Sequence, residues 1–194
     1  MEADWSVEIG EGLPQIVVPW AAGGLGWIDL RTPGSDFDTA VRDIPLSEAR
    51  PVLAAALRRL HATDSLWFTS KCDAWLIDGE DEMLDPYEFD AADLTASGVP
   101  MQGCASYLDI IARDPAVFAS FPAHENLLRT LTHLLRAQRL PHARIDFVLR
   151  AARVNDTDGF AFTAYVAGCG LDAAQAQQSW TSAWEHLMRA LHTC

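Results

Sequence analysis

Residues 143–192 restrict the possible folds of this chain more than any other stretch, because nearly every local signal there agrees. Residues 143–154 and 160–168 are strand-like runs separated by Asn155-Asp156-Thr157-Asp158-Gly159, a run of turn-forming residues. Ile145, Phe147, Leu149 and Ala151 alternate with Arg144, Asp146, Val148 and Arg150, the period of a strand with one buried face. Asp172 then opens a helix as N-cap, with Gln175 placed to complete a capping box. Beyond it Trp180, Trp184, Leu187 and Leu191 form one apolar helical stripe, and the inner face of the hairpin is the surface that stripe needs.

The upstream chain is less periodic. Residues 1–24 read as two short strands or an N-terminal arm, with Trp5, Val7 and Ile9 before a Gly/Pro break and Ile16, Val17 and Val18 after it. Residues 21–26 read as a glycine-rich joint, 27–31 as a strand and 33–46 as loop. Residues 47–61 predict a helix with Leu53, Leu57 and Leu60 on one face and Pro51 near its start. Residues 66–77 predict a strand, with Phe68, Cys72, Ala74 and Leu76 on one face and Trp67, Thr69, Lys71, Asp73 and Trp75 on the other. Strand, helix and strand in this order suggest a split βαβ-like unit. Residues 78–103 form an acidic connecting loop with a short helix over 90–96. Residues 106–113 read as a second short helix, with Ser106 as its N-cap. Asp114-Pro115 and Pro122 each start a helix, and the second carries Leu127, Leu128, Leu131, Leu134 and Leu135 before stopping ahead of Pro141.

Taken together, the pattern predicts one α+β domain over 1–194. Its antiparallel or mixed sheet of roughly four to six strands has helices mainly on one face, and a C-terminal β-hairpin is followed by a long amphipathic helix. At 194 residues, 49% of them hydrophobic, the chain can bury a core without staples. The net charge of −13 argues against nucleic acid and against an anionic membrane surface. There is no basic-then-apolar leader and no apolar run long enough to span a bilayer. Cys72, Cys104, Cys169 and Cys194 match no zinc or redox spacing, so the expected setting is the cytoplasm, with free thiols. No cofactor is expected: the glycine-rich run at 21–26 precedes a strand, whereas a phosphate loop follows one.

The most visible polar feature is acidic. Asp78, Glu80, Asp81, Glu82, Asp85, Glu88, Asp90 and Asp93 place eight carboxylates within residues 78–93, with no basic residue among them. Calcium would suit so many oxygens, but the EF-hand positions for Gly and Glu hold Met83 and Phe89. A solvated, self-repelling loop is the plain reading. A surface for a basic protein partner, centred on Asp78, Glu80, Asp81, Glu82, Asp85 and Glu88, is the functional one.

Chemistry has a rival candidate in Cys104, placed at the start of the expected helix. A helix N-terminus favours the thiolate, and His124, His133, His142, His186 or His192 downstream would serve as base in a thiol hydrolase or transferase. The plain reading is a small buried cysteine. Cys169, between Gly168 and Gly170, invites the same pair of readings. Lys71, the one lysine beside thirteen arginines, reads as a solvent-side strand residue in a cross-strand ion pair rather than as a nucleophile. His124 and His133, like His186 and His192, lack the spacing for zinc on a helix. Exposed strand edges would suit a homodimer without requiring one. With no assembled catalytic motif, the expected function is non-enzymatic protein binding, by analogy of charge and size with secretion chaperones and immunity proteins.

Overall fold

The computed structural model describes residues 1–10, 12, 14–19, 50–77 and 102–194. The expected joint at 21–26, the strand at 27–31, the loop at 33–46 and the acidic connection with its helix at 90–96 lie outside the described residues. So do all six partner-binding carboxylates, Asp78 to Glu88.

The fold is α+β, built on a six-stranded mixed sheet. In chain order its elements are β1 (Glu2–Glu8), β2 (Ile16–Val18), α1 (Arg50–His61), β3 (Trp67–Ile77), β4 (Gln102–Ala112), α2 (Pro115–Phe118), α3 (Phe121–Arg136), β5 (Ala143–Val154), β6 (Thr157–Gly170) and α4 (Ala173–Thr193). The sheet order is β1-β5-β6-β4-β3, with β2 beside the far end of β5. β1 and β2 run parallel to β5, and every other pair is antiparallel. β3 therefore lies at the edge opposite β1 and runs against it, while the first strand of the expected βαβ-like unit, 27–31, lies outside the described residues.

The C-terminal third follows its sequence closely. β5 and β6 pair from Val154↔Thr157 outward, so the chain reverses over Asn155 and Asp156 alone, tighter than the five-residue turn expected at 155–159. Asn155 permits this because it adopts φ +53°, a region its short polar side chain tolerates. Asp172 accepts from the Gln175 N–H at 2.9 Å, and the Gln175 side chain accepts from the Leu171 N–H at 3.3 Å. Trp180, Trp184, Leu187 and Leu191 are all buried along α4.

Cross-strand partners sort the sheet into two faces. Ile145, Phe147 and Leu149 of β5 share one with Phe162, Ala164 and Val166 of β6 and with Ser106, Leu108 and Ile110 of β4. This is the helix-covered face. α3 lays Leu128, Leu131 and Leu135 into the same core, α1 adds Leu53, Leu57 and Leu60, and α4 adds its tryptophans. The Ser106 hydroxyl sits beneath α4, where it accepts from the indole N–H of Trp180 at 2.9 Å and of Trp184 at 3.0 Å. Its own proton goes to the Val166 carbonyl at 3.2 Å. Gly168 and Gly170 allow the helix this close, since a Cβ on Gly168 would collide with the Trp180 backbone and one on Gly170 with Gln175 and Ala176.

Two expectations fail here for one reason. Residues 106–113 are not a helix: β4 runs from Gln102 to Ala112 in the middle of the sheet, paired on both sides. Buried on both faces, it shows a nearly continuous apolar run whose period does not separate strand from helix. Ser106 is accordingly a strand residue, not an N-cap. In β3 the register shifts between Thr69 and Cys72, where Ser70 and Lys71 oppose the single residue Asp109. The bulge puts Phe68 on the face opposite Cys72, while Trp67 and Thr69 share the Cys72 side, the reverse of simple alternation.

The close approach of α4 gives a direct test. Gly168→Ala should lower the urea-unfolding free energy by about 1–3 kcal/mol through overpacking. Gly10→Ala, where a Cβ meets nothing within 4 Å, should leave it within about 0.5 kcal/mol.

Candidate functional site on the second sheet face

The opposite face carries Tyr107 and Asp109 of β4, Thr163 and Tyr165 of β6, Asp146, Val148 and Arg150 of β5, and Asp73 and Trp75 of β3. Among the described residues α1, α3 and α4 all pack on the other side. Asp109 lies at its centre, 4% exposed. Its two carboxylate oxygens accept one hydroxyl each, from Thr163 at 2.7 Å and from Ser70 at 2.8 Å. The bulge in β3 makes the second bond available by turning Ser70 toward Asp109, and it sets Lys71 near enough for its charge to act on the same carboxylate.

Arg150 extends this network. Its guanidinium donates to the Thr163 hydroxyl at 3.2 Å, to the Tyr165 hydroxyl at 3.2 Å and to Glu8 of β1 at 2.9 Å, and it lies 5.8 Å from the Tyr165 ring centre. The Arg150 Nε is buried without an acceptor. Tyr165 leads to Tyr107 and then to Trp75, with successive ring centres 6.3 Å apart, so three half-buried aromatic rings cross β6, β4 and β3 in a row. The row ends two residues before Ile77, after which the acidic segment begins. Ile77 pairs with Gly103, so both ends of that segment are held at one end of the sheet. Leu76 and Leu171, 62% and 55% exposed, lie at the same end.

Burial dominates the electrostatics. It raises the Asp109 carboxyl above the ordinary aspartate range, against the two hydroxyl bonds and the charges of Lys71 and Arg150, which pull it down. Asp146 is raised for the same first reason, although Arg144 grips it at 2.5 and 3.3 Å. The Tyr107 hydroxyl is raised by burial and then by the nearby carboxylates of Asp109 and Asp73.

The structure disperses the residues proposed for thiol chemistry. Cys104 is an interior residue of β4, 2% exposed, and does not open a helix. Burial raises its thiol, and Sγ meets Gln177 Oε1 at 3.9 Å, with no histidine among its hydrogen-bond partners. Cys169 is 1% exposed and pairs with Gly103 inside β6. His124 is buried on α3 between Phe160 and Phe162, its Nδ1 against the Ser120 carbonyl at 3.0 Å, and burial lowers its pKa. His133, His142 and His192 are exposed. Among the described residues no group of three or more His, Cys, Asp or Glu is placed to hold a metal ion. Nor is any helix there long and apolar enough to cross a membrane.

Sequence reasoning missed Asp109, Thr163, Tyr107 and Tyr165, and placed Lys71 without its carboxylate. The signal was available in part: Tyr107, Asp109 and Ile111 alternate with Ser106, Leu108 and Ile110. Reading that run as a helix cap hid it. No protein-family model matches this sequence, no curated protein is similar to it, and no solved structure matches its fold.

The Asp109 shift fixes the sign of a pH effect. A carboxyl raised in the fold favours the protonated folded state, so its contribution is fully present below the unfolded value near 3.8 and declines as pH rises through the folded value. Subtracting wild-type from Asp109→Asn unfolding free energies across pH should therefore give a difference that climbs above pH 3.8 and then levels off. A difference that falls with pH would mean the ionised carboxylate is favoured in the fold.

Proposed function

We propose that the protein is a non-enzymatic binding module for a basic, amphipathic segment of another protein. The observation that carries this reading is the Trp75–Tyr107–Tyr165 row, which ends at the root of the segment bearing Asp78, Glu80, Asp81, Glu82, Asp85 and Glu88. Half-buried Trp and Tyr with an adjoining Arg are the side chains that most often anchor protein interfaces. Arg150 is already tied to Glu8, Thr163 and Tyr165, so the Tyr165 ring is held in place before a partner arrives.

Charge supports a basic partner. A net −13 attracts cations from a distance and speeds their encounter, and it opposes a second copy of this chain on the same face. Leu76 and Leu171 add exposed apolar surface at the acidic end, which favours a segment that alternates cationic with apolar side chains. Four cysteines outside any disulfide, two of them buried, suit a cytoplasmic setting, which belongs to the same proposal. Secretion chaperones and immunity proteins remain analogies of size and charge.

Calorimetric titration with a synthetic arginine- and leucine-containing amphipathic peptide tests the reading. Binding should weaken as salt rises. It should drop about tenfold or more in Tyr107→Ala, and again when the six carboxylates are changed together to Asn and Gln. Affinity unchanged by both sets of substitutions, or no saturable binding, would sink the proposal.

A further inference from the structure

Away from the aromatic face, the corner formed by α2 and the first turn of α3 is held to the start of β6 by Phe118, Phe121 and His124, spaced three residues apart. Phe118 lies against Gly159, where an added Cβ would collide with its ring. Phe121 meets Phe160 edge-on with ring centres 5.5 Å apart. His124 packs on Phe160 and Phe162 at 6.4 and 6.5 Å. It is the one polar member of the three, and it is fully buried.

Its ring is fixed in one neutral form. Nδ1 lies 3.0 Å from the Ser120 carbonyl, which can only accept, so Nδ1 carries the proton and Nε2 presents a bare lone pair. Nε2 is buried without a hydrogen-bond partner. α3 does not require the bond at Nδ1: the same carbonyl already accepts the His124 backbone N–H at 3.3 Å, and the Ser120 hydroxyl caps Ala123. A leucine would fill the position and leave no polar atom unsatisfied. What the imidazole adds is sensitivity to protons.

A proton on Nε2 would place a cation against two phenyl rings in the first turn of α3, where the helix dipole also opposes positive charge. Charged groups on the surrounding elements are engaged elsewhere. Arg113 donates to the Trp67 and Leu60 carbonyls, Asp114 caps Ala116 of α2, Glu125 of α3 pairs with Arg129, and Asp158 of β6 pairs with Arg153 of β5. On α4, Arg189 meets His186 at 3.3 Å. Neither these groups nor Glu185 and His192 of α4 act on the His124 ring, whose pKa is lowered by burial and raised by the Ser120 carbonyl alone.

We propose that His124 is an acid-sensitive latch, whose protonation releases the α2–α3 corner from the hairpin and uncovers Phe118, Phe121 and Phe160. The corner opens ahead of the sheet because α2 is a single turn with Pro115, Ala116 and Ala119 already exposed. Once released, the ring recovers the ordinary histidine value of 6.5, so falling pH promotes opening from there down to the lower folded value, where the effect levels off. The latch is separate from the aromatic face and does not depend on the function proposed for it.

The test is amide hydrogen exchange of the full chain between pH 7.5 and 5.5, corrected for the intrinsic pH dependence of exchange, with ¹⁵N detection of the imidazole rings in parallel. Protection of the Phe118, Ala119 and His124 amides, all bonded within the corner, should fall about tenfold over that interval, with β4 remaining the more protected throughout. His124→Phe, which keeps an aromatic ring and takes no proton, should abolish the fall. The ring titration needs no variant: His124 should stay in its Nδ1–H form at pH 7.5 and gain its second proton as the corner opens. Constant protection in the wild type, or the same fall in His124→Phe, would overturn the proposal. So would a ring that protonates while the corner stays closed, or corner and β4 amides that exchange at one common rate.

Discussion

One hydroxyl fixes the relation of sheet to helix. Ser106 Oγ accepts two indole donors and donates to a carbonyl, so its two lone pairs and single proton are all used. Neither Trp180 nor Trp184 could be buried beside an apolar residue there without losing its acceptor. The node also prevents slippage: moving α4 by a turn along β4 and β6 would separate both indoles from the hydroxyl and drive the helix off Gly168 and Gly170. With three helices committed to that face, the chemistry of the sheet concentrates on the other.

That second face is polar without being loosely held. Asp109 takes a hydroxyl on each oxygen, and Arg150 ties Thr163, Tyr165 and Glu8 together across three strands. A network of this kind costs desolvation, seen in the raised carboxyl of Asp109, and in return fixes register across β3, β4, β5 and β6. The same bonds hold Tyr165, one end of the aromatic row, by its hydroxyl.

How much of this could be read from the sequence follows from how many faces each segment buries. α4 has one apolar stripe and a capping box, and both its position and its buried residues were legible from 172 onward. β5 and β6 showed their strand character, although Asp146 and Val148 on the supposed outer side are buried as well. β4 is enclosed on both sides, so its period was lost and a serine followed by an aspartate looked like a helix start. The bulge at Ser70 and Lys71 leaves no composition signal at all. It is a property of pairing with β4, and the Asp109 site depends on it. Long-range assembly, with Asp109 and Thr163 54 residues apart in the chain, lay beyond any local pattern.

Adjacent residues of β4 allow the division of labour between the faces to be measured directly. Ser106 and Tyr107 point to opposite sides of the same strand, one into the helix-covered core and the other into the aromatic row. Urea unfolding of Ser106→Ala and Tyr107→Ala, run side by side, is the decisive comparison. Loss of about 2–4 kcal/mol in the first, from two stranded indole donors, and about 1 kcal/mol or less in the second is what this account predicts. Equal losses, or a larger one at Tyr107, would show that the second face holds the fold together and is not set aside for a partner.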